Sequence, residues 1–194
     1  MSLQQKEAWQ LRLATIADIG NLEDLIPRSV RALQAPHYTA AQMDAALGRI
    51  FAVDRQLIVD GTCYVAEIAD GTVVGSGGWS RRQSLYGGDA DRTEADPELN
   101  PLRDSARIRA FFVDPAWARR GIGSAIMQQC EAAIKAAQFH KIEIVATLAG
   151  ELLYATFGYE VIERFDIPLT GGLTIAAVRM SRIIKTEEVS PNTA

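Results

Sequence analysis

Residues 106–126 leave this chain few folds to choose from. The run ARIRAFFV carries apolar groups on both sides of its alternation. Ile108, Ala110 and Phe112 fall on one side, and Phe111 and Val113 beside Arg109 on the other. A strand like this belongs in the middle of a sheet that is covered on both faces. Pro115 closes it, because proline cannot continue a hydrogen-bonded ladder. Gly121 and Gly123 then lead into a helix whose Ile122, Ile126, Cys130, Ala133, Ile134 and Ala137 share one stripe. The chain must therefore build a layered fold around a central strand–turn–helix unit.

The remaining elements follow from periodicity and punctuation. Leu11–Thr15 alternates as a short strand, and Thr15 with Asp18 forms a capping box for a helix carrying Ile19, Leu22 and Ile26. Pro27 is expected to kink or interrupt that helix. Thr39 with Gln42 caps a second helix bearing Met43, Ala46 and Leu47. Strands at Cys63–Ile68 and Thr72–Trp79 are joined by a turn at Asp70-Gly71. From Arg81 to Ser105 no period is sustained, and a loop of this length in a compact domain is functional or mobile. After the central unit come a strand at Lys141–Thr147 and a helix near Glu151–Phe157 that stops at Gly158. Two last strands follow, Val161–Ile167 and Leu173–Met180, joined by Thr170-Gly171-Gly172. The order is β-α-α-β-β-β-α-β-α-β-β, an α/β (α+β) fold with a mixed sheet. We expect one domain over residues 1–184, and a disordered tail over 185–194.

Composition narrows the function classes. A chain of 194 residues can bury roughly 70% of its unfolded surface, so it needs no disulfide or metal staple. The net charge of −4 argues against a dense basic face for nucleic acid. Cys63 and Cys130 match no zinc spacing and read as reduced, partly buried thiols. The polar N-terminus is unlike a signal peptide, and no apolar run reaches the roughly 18 residues of a membrane helix. These features lead us to expect a cytoplasmic protein with no metal, no nucleic-acid partner and no membrane partner.

The glycines of the central unit invite a ligand. The first amides of a helix have no internal partner, and the helix dipole makes that end attractive to anions. Arg119 and Arg120 add positive charge, so residues Arg119, Arg120, Gly121, Ile122, Gly123 and Ser124 suit a phosphate or pyrophosphate. The bland alternative is a tight turn flanked by solvated arginines. A P-loop string is absent, and the third glycine of a dinucleotide fingerprint is replaced by Ile126.

With these residues in place the chain resembles the GNAT superfamily of acyl-CoA-dependent N-acyltransferases, over roughly Leu11 to Ser181. The family's loop, [QR]-x-x-G-x-[GA], is matched by A-R-R-G-I-G from Ala118 to Gly123, with Ala118 departing at the first position. A second signature, Y-x-x-x-G-[FY], is matched from Tyr154 to Gly158 and Tyr159, and Thr147 stands where the family commonly has Asn. The resemblance implies that the fourth and fifth strands splay and hold acetyl-CoA between them. Backbone near Phe111, Phe112 and Val113 would pair with pantetheine, and the loop from Arg119 to Ser124 would take the pyrophosphate. An N–H near Phe112 would polarise the thioester carbonyl, Thr147 would lie beside the cofactor, and Tyr154 would act as general acid. It further implies direct attack by a primary amine, expected to be a small molecule, and a possible homodimer. A non-catalytic acyl-CoA-binding module and a transferase for another acyl group remain alternatives.

The base that would deprotonate the amine is not assigned: Asp114, Glu143 and Glu67 are the candidates, and Asp114 before Pro115 also reads as a turn residue. His37 and His140 read as solvated or structural. By the same resemblance the acceptor side is walled by parts of residues 26–47, 79–82, the long loop and 165–173. Trp79 and Tyr86 are candidate linings, and Phe111, Phe112 and Phe157 could narrow the acyl end. The loop's Asp89, Asp91, Glu94, Asp96, Glu98 and Asp104, interleaved with Arg81, Arg82, Arg92 and Arg103, form either an acidic lid or an ordinary mixed-charge surface.

Overall fold

A computed structural model describes residues 8–89 and 93–184. The expected tail over 185–194, and Asp91 and Arg92 of the long loop, lie outside the described residues. The elements run β1 (Trp9–Leu13), α1 (Ile19–Leu33), α2 (Ala40–Ala46), α3 (Arg55–Val59), β2 (Cys63–Ile68) and β3 (Val73–Ser80). They continue through β4 (Ala106–Val113), α4 (Ile122–Ala136), β5 (Lys141–Thr147), α5 (Glu151–Thr156), β6 (Glu160–Pro168) and β7 (Thr174–Ile183). The strands make one sheet of order β1-β2-β3-β4-β5-β7-β6, in which β4 and β5 are parallel and every other neighbouring pair is antiparallel.

Two elements depart from expectation. Helix α1 is assigned straight through Pro27 to Leu33. Leu25, Ile26, Ser29 and Val30 on both sides of the proline are buried, so packing outweighs one lost hydrogen bond. The short helix α3 was not expected. Five residues are too few to display a helical period, and its Leu57 and Ile58 are held by burial.

Each face of the sheet has its own core. Ile122, Ile126, Met127 and Ile134 of α4 pack over β2–β5 on one face. Leu22, Leu25 and Val30 of α1, Met43 of α2 and Leu57 of α3 cover the other. Helix α4 lies unusually close to β3 because β3 contributes Gly75 and Gly77. A Cβ on Gly75 would stand 2.5 Å from Ile122, and one on Gly77 would stand 2.8 Å from Ile126 and 2.7 Å from the Phe111 ring. The two glycines thus set how near the start of α4 comes to the end of β4.

Strand β4 carries one extra residue. Ser76 pairs with Phe112 but Gly78 pairs with Arg109, and Ala110 has a left-handed φ of 59°. This bulge resets the alternation read from the sequence. Phe111 and Val113 join Ile108 on the α4 face, while Ala110 and Phe112 pack on the other.

Arg12 ties β1 to the entry of α1. Its guanidinium donates to both Asp18 oxygens, at 2.8 and 2.7 Å, and also to Glu67 on β2. The Asp18 carboxylate further accepts the Thr15 N–H at 2.7 Å, completing the expected capping box. Hydrogen bonding from Arg12 and then from Thr15, against burial, lowers the Asp18 pKa from 3.8 to about 2. A carboxylate depressed in the folded state stabilises above its unfolded pKa and loses that contribution as the pH falls through the folded value. Stability should therefore decline between about pH 4 and pH 2. Asp18→Asn should be less stable at neutral pH and show a shallower decline over that window in urea unfolding.

Candidate functional site

The sheet opens where β4 leaves β5. Only Ala106, Arg107 and Ile108 pair with Ile142, Glu143 and Ile144; beyond them the strands diverge. The bulge at Ala110 starts the divergence. Asp114 donates to Val74 on β3 at 2.9 Å. By alternation Phe112 also turns its N–H to β3, whereas Phe111 and Val113 turn theirs into the opening. Val113 N–H donates there to Ser29 Oγ of α1 at 3.1 Å. Phe111 thus offers the opening its backbone directly, and Val113 does so by releasing Ser29. Phe112 contributes its side chain, whose ring meets Phe51 edge-on at 6.4 Å.

The opening continues as a cleft of about 780 Å³ counting its open mouth. Its floor is Ile108, Ile144 and Ala146; Phe111, Thr147 and Tyr154 stand on one side. Thr147 Oγ1 accepts the Gly150 N–H at 3.2 Å and so turns the chain from β5 into α5. Tyr154 on α5 is 5% exposed and meets the rings of Phe111 and Tyr159 edge-on at 6.0 and 6.3 Å. Burial raises its phenol well above 10, so it stays protonated throughout the working range of an enzyme.

At the neighbouring corner α4 begins. Gly121 caps it in a left-handed conformation, φ 86°, and Arg119 before it has φ 61°. Ala125 makes the first intrahelical bond, to Gly121 O at 2.9 Å, so the N–H groups of Ile122, Gly123 and Ser124 precede the ladder. Arg119 and Arg120 are exposed, and Arg120 lies 4.5 Å over the Trp117 ring. Gly123 faces Leu153 of α5, where a Cβ would stand 3.1 Å from Cδ2. These amides, the dipole and the arginines are the features that suit an anion beside the cleft.

The far wall was partly missed in the sequence. It consists of Gln34 and Tyr38 after α1, Ile50–Ala52 before α3, and Leu85–Gly87 of the long loop, against Ile167 and Ile175–Ala177. Tyr86 lies on this wall as expected, 6.4 Å from the Phe165 ring. Trp79 does not: its strand position turns it into the α4-side core against Phe139, where it is 4% exposed. Phe157 likewise packs on that core, outside the cleft lining.

Two arginines, Arg109 buried and Arg82 half-buried, hold the long loop. Arg109 on β4 pairs with Asp54 at 2.8 Å, with side chains 3% and 1% exposed, and donates to Ser84 O and Gly87 O. Arg82 grips Asp60 with two donors, at 2.7 and 2.8 Å, and donates to Asp96 O at 2.9 Å. Asp89 accepts the Arg55 N–H, and Asp104 accepts the Asn100 N–H. The signal for Arg109 was present in the sequence, since a cation inside a strand apolar on both faces must find a buried partner.

The three candidate bases have other work. Glu143 accepts from Arg179 at 2.6 Å, Arg107 at 2.8 Å and Ser105 at 3.1 Å. Burial would raise its pKa, but Arg179 and Arg107 outweigh that and hold it below the usual range. Asp114 caps the turn before α4 through Ala116 N–H and meets Arg28, and Glu67 is taken by Arg12.

A family model for the acetyltransferase (GNAT) domain matches residues 59–161. The chain belongs to the GNAT acetyltransferase family. Its matched segment runs from the last residue of α3 to the start of β6, and so contains both the turn into α4 and Tyr154. Solved structures agree on the GNAT fold. A GCN5-related N-acetyltransferase from Rhodopseudomonas palustris superposes with a TM-score of 0.66 at 18% identity, over 95% of this chain and 99% of that one. PaiA N-acetyltransferase from Thermoplasma acidophilum, in complex with coenzyme A, gives 0.61 at 13% identity, over 91% and 99%. YncA from Salmonella typhimurium, with its cofactor acetyl-CoA, gives 0.61 at 15% identity, over 96% and 99%. No curated protein sequence matches this chain. Among the described residues no helix of this GNAT domain is long and apolar enough to cross a membrane.

Removing one partner of a buried ion pair leaves the other charge uncompensated, at a cost of about 3–5 kcal/mol. Asp54→Ala should therefore lose stability of that order in urea unfolding. It should also expose the loop near Ser84–Gly87 to limited proteolysis while the rest of the domain stays protected.

Proposed function

We propose that this GNAT domain transfers an acetyl group from acetyl-CoA to the primary amine of a small molecule. The observation that carries this reading is the juxtaposition of the exposed amides and arginines at the start of α4 with a strand opening lined by Phe111 and Tyr154. The family match supports acyl transfer, and the fold relatives solved with coenzyme A or acetyl-CoA support the donor.

Acetyl-CoA would bring an acyl group already activated as a thioester. The residues present fit it. The N–H groups of Ile122, Gly123 and Ser124 would hold the pyrophosphate, with Arg119 and Arg120 adding charge at the rim. The edge of β4 at Phe111 and Val113 would hold the pantetheine as an added strand. An N–H turned into the opening, that of Phe111 or Val113, is better aimed at the thioester carbonyl than that of Phe112. Thr147 and Gly150 hold the start of α5, and so the position of Tyr154. Tyr154 Oη would give its proton to the departing CoA sulfur and regain one from the attacking nitrogen, so that amide and thiol form with no net change of protons in the site. Direct transfer needs no nucleophile from the protein.

Two measurements test this. Calorimetric titration of acetyl-CoA should give binding in the micromolar range. Gly123→Glu, which adds a carboxylate to the start of α4 and crowds Leu153, should abolish that binding with the far-UV circular dichroism unchanged. No binding to the parent chain would overturn the reading. Tyr154→Phe should lower kcat roughly 100-fold, with the Kd for acetyl-CoA unchanged, because a positioned acid contributes about that much. With the phenol held above 10, kcat should show no loss from its ionisation as the pH rises to 9. A Phe variant turning over at the parent rate would remove Tyr154 from the acid role.

A further inference from the structure

We infer that the acceptor half of the cleft selects an amine carried on an apolar, flat body without a second charge, and that Gln34 is the side chain that receives its nitrogen. This rests on the transferase reading above.

The wall of this half is aromatic and aliphatic. Phe51 and Phe112 meet edge-on, Tyr86 closes from the loop, and Ile50, Leu85 and Ile167 fill between them. A flat ring slots against such edges, whereas a charged group placed among them loses its water without compensation. Among the described residues no carboxylate lines the cleft, and its one cation, Arg109, is spent on Asp54 and on the carbonyls of Ser84 and Gly87. A substrate carboxylate would find no free cation there. A second ammonium would find no anion, which excludes the multiply charged amines that an acidic pocket takes.

The neutral polar side chains on this wall are Gln34, Tyr38 and Tyr86, and the Tyr38 hydroxyl is engaged within the fold. The Tyr38 hydroxyl accepts the Leu148 N–H at 2.9 Å and donates to Ala176 O at 2.8 Å, so it extends the β5–β7 ladder past Thr147. Gln34 stands at the end of α1, one turn before Tyr38, and its Oε1 is buried with no hydrogen-bond partner among the described residues. A buried acceptor without a donor is costly, and a bound N–H would relieve that cost. Gln34 therefore supplies the acceptor that an incoming amine needs, from a side chain that brings no charge.

The test uses three amines that share one ring: 2-phenylethylamine, phenylalanine, which adds a carboxylate, and 1,4-bis(aminomethyl)benzene, which adds a second ammonium. Each is measured for thiol release from acetyl-CoA and, by calorimetry, for binding to the CoA-saturated protein. We expect 2-phenylethylamine to exceed both charged analogues at least about tenfold in kcat/KM, given the cost of stranding a charge in an apolar wall. Gln34→Met, which keeps volume and helix propensity, should raise KM for 2-phenylethylamine at least about fivefold, with the Kd for acetyl-CoA and the Tm unchanged. Equal or better turnover of either charged analogue would overturn the inference and leave the transferase reading intact. Selective binding of 2-phenylethylamine without turnover of any amine would uphold the pocket chemistry and sink the transferase reading. Absence of both binding and turnover for 2-phenylethylamine would overturn the inference, and a Gln34→Met protein matching its parent would remove Gln34 from it.

Discussion

Strand β4 can hydrogen-bond to β5 for only three residues, and the site depends on that short pairing. Ala110 turns left-handed immediately after the paired segment, at a cost of roughly 1–2 kcal/mol for a residue with a Cβ. The surroundings impose it. Gly77 opposite leaves room for the Phe111 ring, Ser29 takes the Val113 N–H, and Asp114 locks the strand end back onto β3. Once β4 has bent away, two backbone edges that a continuous sheet would bury stand open to a ligand. The same bulge moves Phe111 onto Tyr154 and Phe112 onto Phe51, so one extra residue sets the aromatic contacts of both halves of the cleft.

The charged network matters here through its burial rather than its extent. Pairs such as Arg31–Asp44, with both side chains 59% exposed, contribute little. Arg109–Asp54 is shut off from water, Arg82–Asp60 and the Glu143 cluster are largely so, and each joins segments far apart in sequence. Arg109 links β4, the entry of α3 and the long loop. Glu143 joins β4, β5 and β7 at the closed end of the splay, through Arg107 and Arg179. These ties join the strands at the closed end and fasten the acceptor wall to β4. Part of the loop's charge is internal anchoring, through Arg82, Asp89 and Asp104, while Glu94 and Glu98 stay exposed as an ordinary mixed-charge surface would.

The legible part of the fold was the part set by local periodicity. The strands at Cys63–Ile68 and Lys141–Thr147, the capping boxes at Thr15 and Thr39 and the left-handed stop at Gly158 depend on neighbours within a few residues. The glycine turn into α4 was legible for the same reason, since a helix start is a local object. The acceptor wall was not. Ile50–Ala52 and Asp54 lie in a stretch without period, and their importance comes from Arg109, more than 50 residues away. The Ala110 bulge was invisible because alanine gives no hint of a left-handed backbone. The glycines of VVGSGGWS did carry a signal, because glycine weakens a strand unless something must approach it closely.

The absence of a carboxylate from the described cleft lining bears on how an amine would lose its proton. An ammonium is stabilised by water, and a low-dielectric site without an anion disfavours the charged form. In a cleft whose only cation is already paired, the amine enters more cheaply as the neutral base, which is also the form able to attack. Bulk water would then take the first proton before binding, and the second, released by the nitrogen after it attacks, would pass to the phenolate that Tyr154 becomes when it protonates the departing sulfur, while Gln34 Oε1 holds the neutral nitrogen. Tyr154, kept protonated by the same burial, completes a site in which no group need carry net charge before the bond changes. A charge-neutral cleft of this kind gains little from an adjacent carboxylate, which would favour the ammonium it has to discharge. The engagement of Glu143, Asp114 and Glu67 in structural bonds is therefore consistent with the chemistry proposed for the cleft they surround.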